Sequence, residues 1–209
     1  MRRPDFERVS ALDSLLAEIR ACTACAAQLP LGPRPVVQAS ATARILVASQ
    51  APGTRVHASG VPFDDPSGDR LREWLGVERA QFHDPALFAI VPMGFCYPGR
   101  AASGDAPPRP ECAPLWRARL LVALPSLRLT LLVGSYAQEA VLGKGRMSER
   151  VRAFRDHLPA IVPLPHPSWR SRLFEQAHPW FREDLVPALR RRVAEELAAA
   201  ESERRSAAA

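Results

Sequence analysis

Ile45-Leu46-Val47-Ala48-Ser49-Gln50-Ala51-Pro52-Gly53 is a short apolar run that stops at a sharp turn. Four consecutive apolar residues closed by turn formers read as a strand buried on both faces. Similar runs recur at Leu87 to Val91, Leu127 to Val133 and Ala160 to Leu164. Helical patterns separate them. Residues 8–21 place Val9, Leu12, Leu15, Leu16 and Ile19 on one face. Ser67 is expected to cap a helix through Leu71, Trp74 and Leu75. Further helices are expected over 111–123, 136–142 and 151–157. A basic helix over 181–200 is expected to break near Pro187. Strands alternating with helices predict the α/β class: a three-layer α/β/α fold with a central, mainly parallel four-stranded sheet. We expect a single domain over residues 1–200 and a frayed tail over 201–209.

The 209 residues suffice for one full core. Hydrophobic residues make up 47% and charged residues 24%, as in ordinary globular proteins. No apolar run reaches the roughly 18–20 residues that span a bilayer, and the first residues lack the apolar centre of a secretory signal. A cytoplasmic location is the expectation. The net charge is +6, and Lys144 is the only lysine, so arginine carries nearly all of the positive charge. The arginine fork suits phosphate, although a GC-rich genome yields the same arginine, alanine and proline bias.

In parallel α/β sheets, ligands bind beyond the carboxyl ends of the strands. Segments 49–53, 92–99 and 166–170 all sit there, so the topology converges them on one cleft. The long stretch from Pro92 to Arg109, rich in Gly and Pro, reads as a loop. Cys22 and Cys25 form a C-x-x-C pair, and Cys96 and Cys112 follow with fifteen residues between them. Three readings fit: unligated thiols, a zinc site, or an iron–sulfur cluster. Structural zinc favours two tight pairs, whereas clusters tolerate wider spacing.

Taken together, these motifs resemble the uracil-DNA glycosylase superfamily, closest to its iron–sulfur branch, family 4. The resemblance runs from about residue 15 to residue 190. It rests on the cysteine spacing, on Ser49-Gln50-Ala51-Pro52-Gly53 against the branch's G-E-A-P-G, on Pro62-Phe63, and on His166-Pro167-Ser168 after the last strand. Three departures mark a divergent member. Gln50 replaces Glu, Val56-His57 stands where the branch has acids, and no Asn precedes Cys96.

The resemblance implies a 4Fe-4S cluster on Cys22, Cys25, Cys96 and Cys112, with a structural role. It also implies base flipping into a pocket. Gln50, Ala51, Pro52 and Gly53 would present backbone N–H groups to the base. Phe63 would stack on it. His166 would donate to its carbonyl oxygen as negative charge develops. Gly94, with Met93, would offer backbone groups in place of the missing Asn. Ser168 and Arg170 would contact phosphates, and Trp169 would wedge into the gap left by the flipped base. Of the water-activating candidates His57, Asp64 and Asp65, His57 is ranked first.

The expected activity is monofunctional excision of uracil from DNA by hydrolysis of the N-glycosidic bond, in base-excision repair. The expected partner is DNA containing uracil or another deaminated base, with the protein monomeric and no membrane involved. Rivals are excision of hypoxanthine or xanthine, non-catalytic binding of uracil-containing DNA, and an RNA-binding or scaffold role for the basic C-terminal helix.

Overall fold

The computed structural model describes residues 3–102 and 104–208. In chain order it forms α1 (Arg3–Arg20), β1 (Ile45–Ala48), α2 (Thr54–Ser59), α3 (Pro66–Leu75), α4 (Arg79–Phe82) and β2 (Phe88–Ile90). A small antiparallel hairpin follows, β3 (Arg100–Ala101) and β4 (Gly104–Asp105). Then come α5 (Ala118–Val122), β5 (Leu129–Val133), α6 (Ser135–Leu142), α7 (Met147–Arg152), β6 (Ile161–Leu164), α8 (Ser171–Ala177) and α9 (Val186–Ala208).

The main sheet has the order β2-β1-β5-β6, and every pairing in it is parallel. This is the expected α/β architecture. Alternation along β1 sorts its side chains between two cores. Ile45 and Val47 pack with Leu71, Trp74, Phe181 and Leu189 from α3 and the C-terminal helix. Leu46 faces Leu12, Leu16 and Ile19 of α1 and Leu120 of α5. Burial of each such side chain contributes about 1.5–3 kcal/mol. Val9 was expected on the same face of α1, but its side chain lies outside the described residues.

Both edges of the sheet are managed. Pro163 lies in β6, an edge strand, where a missing N–H costs no ladder bond on the open side. Gln38 covers the β2 edge by exchanging backbone hydrogen bonds with Ile90 at 2.7 and 3.1 Å.

Several boundaries differ from expectation. Asp65, not Ser67, caps α3; its side chain accepts from the Gly68 N–H at 2.8 Å, and Pro66 opens the helix. The loop 92–109 contains the β3–β4 hairpin, whose two-residue strands are too short for a periodic signal. The C-terminal helix does not break at Pro187. Pro187 has no N–H to offer, and Phe181–Leu185 just ahead of it winds as a π-turn leading into α9. Residues 201–208, expected as a tail, continue the last helix. Helix α9 runs to Ala208, held down by Arg44 to Glu196 at 2.9 Å and Glu203 at 2.7 Å, and by Arg204 to Asp84 at 3.1 Å. Ala209 lies outside the described residues. Among the described residues no helix is long and apolar enough to cross a membrane.

Candidate active site

The carboxyl ends of β1, β2 and β6 open into one cleft. Ala51, Pro52 and Gly53 form one wall, Pro62, Phe63 and Asp65 a second, and His166 and Asp105 a third. Thus the turn after β1, the Pro-Phe pair and the histidine after β6 are brought together as the sequence predicts.

Each wall has a local cause. Gly53 is the N-cap of α2 and supplies no side-chain cap, so the first-turn N–H groups have no side-chain acceptor at that end. Phe63 adopts φ +54°, a left-handed backbone unusual for a ring-bearing residue. Its carbonyl accepts from Arg72 at 3.3 Å, and its ring meets Phe82 edge-on at 5.9 Å. Phe63 is therefore both cleft wall and core margin. His166 follows β6 and packs against Gly134, where a Cβ would stand 3.5 Å from the histidine Cβ. The imidazole is open to the cleft but crowded by protein elsewhere. That desolvation pushes its pKa below the ordinary 6.5, against the opposing pull of Asp65 and Asp105.

Three of the residues expected in the site lie off the cleft wall. His57 is not on the cleft wall. Val56 takes the inward position on α2, and His57 turns toward Tyr97, with ring centroids 6.2 Å apart and its Nδ1 buried without a hydrogen-bond partner. Asp64 points away as well. It pairs with Arg79 at 2.8 Å, and that hydrogen bond holds its carboxyl below the ordinary range. Gly94 does not face the base pocket. Its N–H is taken by the Gln50 carbonyl at 2.9 Å, the Met93 N–H by the Ser49 carbonyl at 2.7 Å, and Gly94 lines the cysteine cavity.

The acids that do face the cleft are Asp65, one of the three candidates read from the sequence, and Asp105, which sequence reasoning missed. A Cβ placed on Gly53 would lie 3.4 Å from Asp105 Oδ2 and 4.0 Å from Asp65 Oδ2. Burial raises the Asp105 pKa above its usual value; Arg100 and His166 pull it back and Asp65 pushes it further up. No local pattern marks Asp105, because the hairpin that carries it is visible only in three dimensions.

A shallower groove adjoins the cleft and shares Ala51, Ser67, Asp105 and His166 with it. Gln50, Ser168, Trp169 and Arg170 line the groove. Trp169 is 71% exposed, and the Arg170 guanidinium lies 5.3 Å from its ring centre. Gln50 does not reach toward a base; its amide donates to the Ala106 carbonyl at 3.0 Å.

Residues 36–190 match the family model of the uracil DNA glycosylase superfamily. The chain belongs to the uracil DNA glycosylase superfamily. The matched span contains every wall of the cleft and both later cysteines; Cys22 and Cys25 lie ahead of it.

In this superfamily member the four cysteines, far apart in sequence, line one cavity together with Leu29, Phe95 and Trp116. None is in a disulfide. All four sulfurs meet N–H groups: Trp116 Nε1 to Cys22 at 3.3 Å, the Phe95 backbone to Cys112 at 3.3 Å, the Arg34 backbone to Cys96, and the Arg109 side chain to Cys25. Burial raises the pKa of Cys25 and Cys96, and pushes that of Cys112 up to about 11. Among the described residues no three His, Cys, Asp or Glu stand close enough to hold a metal ion.

Proposed function

We propose that the protein is a monofunctional DNA glycosylase that hydrolyses the N-glycosidic bond of uracil in DNA and leaves an abasic site. The observation that carries this reading is the meeting of the 51–53 turn, Phe63 and His166 on the walls of one cleft. A flipped base needs a flat apolar face and fixed donors for the charge that it acquires on leaving. Phe63 supplies the face. The 51–53 turn and His166 supply the donors, and the imidazole, whose pKa burial lowers, hydrogen-bonds the base oxygen without giving up its proton. Trp169, exposed beside the cleft, enters the gap in the stack, while Ser168 and Arg170 hold phosphate. Lys144, the only lysine, is not on the cleft wall, so a Schiff-base route has no amine there.

Cys22, Cys25, Cys96 and Cys112 would hold a 4Fe-4S cluster. The thiols ring a cavity rather than converge on a point, and N–H donors reach all four sulfurs, both of which suit a cluster better than a single ion. When bound, the cluster supplies a tether between the segment after α1 and the segment ahead of α5; the proton and base steps belong to the cleft residues. We place the protein in the cytoplasm, as a monomer, because reduced thiols are needed there and the cleft and groove lie on one chain.

The test is base release from an oligonucleotide containing one uracil, using protein purified without air, with alkali cleavage reporting abasic sites. Strand cleavage at uracil supports the proposal. Parallel substrates carrying hypoxanthine or xanthine decide the second reading, which the lack of an asparagine side chain on the cleft wall favours. Tight binding of uracil-containing DNA without release would replace both with a binding role.

A further inference from the structure

Asp105 belongs to no motif in the sequence, yet the hairpin β3–β4 delivers it to the cleft. It lines both the cleft and the adjoining groove, as His166 does, and its Oδ2 lies 3.4 Å from where a Cβ on Gly53 would stand. Among the described residues its carboxylate makes no hydrogen bond and no ion pair within 4.0 Å. Asp65, the other cleft acid, spends one oxygen on the Gly68 N–H. Asp105 therefore has the freer acceptor set.

Its position is built rather than incidental. The next residue, Ala106, is held on both sides: its N–H donates to the Gly99 carbonyl at 2.8 Å, and its carbonyl accepts from the Gln50 side chain at 3.0 Å. The strand partner of Asp105 is Arg100. The turn after β1 and the hairpin are thereby locked to each other, and Asp105 is fixed against the residues that contact the base.

On the glycosylase reading, on which this inference rests, we infer that Asp105 holds the hydrolytic water and takes its proton. The water oxygen bonds to the sugar C1′ as the C1′–N bond breaks. That bonding pair leaves with the base, whose oxygen accepts a hydrogen bond from His166. The water proton goes to the Asp105 carboxylate and then to solvent, and the base anion takes up a proton, so one water is consumed per base released. The charged and titratable groups around Asp105 are Arg100, His166, Asp65 and Tyr97.

Asp105→Asn and Asp105→Glu, compared with the wild-type protein, test this. Single-turnover base release is measured from pH 5 to 9, beside binding of the same uracil-containing DNA and thermal melting. The expected result is a loss of about 10²-fold or more in Asp105→Asn, with binding and melting unchanged. The acid-side fall in rate expected of the wild type should be absent in that variant and shifted in Asp105→Glu. An Asp105→Asn variant that keeps the wild-type rate and pH profile overturns the inference and leaves the glycosylase reading standing. A wild-type protein that releases no base overturns the reading, and the inference with it.

Discussion

Gly68 packs directly on the carbonyl of Phe63: a Cβ at residue 68 would overlap that oxygen. The contact fixes the left-handed turn at Phe63 from below, while Asp65 caps the same helix start from the side. A glycine in the first turn of α3 is thus a structural condition for the wall of the cleft. Gly68→Ala should lower stability by about 3 kcal/mol, because backbone cannot yield as a flexible side chain can. Urea unfolding checks this, and a change within 0.5 kcal/mol of the wild type would contradict it.

Glu196 anchors the last helix to the start of β1. Burial alone would raise its pKa, but hydrogen bonds from Arg192 and Arg44 outweigh that and hold it below the ordinary 4.5. A depressed carboxylate contributes stability that is fully present above the unfolded value and lost as pH falls through the folded one. Glu196→Gln should therefore cost about 2 kcal/mol at pH 7. The difference from the wild type should shrink as the pH drops below 4.5. Melting curves across that window decide it.

His166→Ala should slow base release by about 10²–10³-fold, the usual cost of losing one donor to a developing oxyanion. Binding of uracil-containing DNA should persist, since the turn at 51–53 and Phe63 remain. Equal losses in binding and rate would instead make His166 a ground-state contact.

Trp169 is largely exposed and makes no buried core contact. Trp169→Ala should leave stability within about 0.5 kcal/mol of the wild type while weakening binding to duplex DNA with a flipped base. Unchanged duplex affinity would remove the wedge role.

Cys112→Ser should yield protein with little bound iron, whereas anaerobically prepared wild type should carry about four irons and four acid-labile sulfides per chain. Iron and sulfide analysis reads this directly. Iron-free wild-type protein, together with stoichiometric zinc, would return the site to the zinc reading.

The layers of the fold were legible because each strand is a short, uninterrupted apolar run and each run ends in turn formers. Cys22, Cys25, Cys96 and Cys112 were legible as a group by spacing, and the segments 51–53 and 166–170 by their place after strands. The placement of His57 and Asp64 off the cleft wall was not legible. A helix turns successive residues by about 100°, and the sequence does not say whether Val56 or His57 faces inward. Asp64 found Arg79, fifteen positions away in the chain. Gly94 was assigned to the base pocket, but its N–H closes a bond to Gln50 from the neighbouring strand end.

Sequence alone determined the α/β class, the parallel sheet, the order of the elements and the segments that meet at its carboxyl edge, because these follow from hydrophobic period and turn chemistry, which are local. Only the tertiary structure decided which acids enter the cleft, how Gln50 is used, that Gly68 must lack a side chain, and that the final helix runs on past Pro187. Those outcomes depend on contacts between residues far apart in the chain, where one atom's position is set by packing and hydrogen bonding that no local pattern encodes.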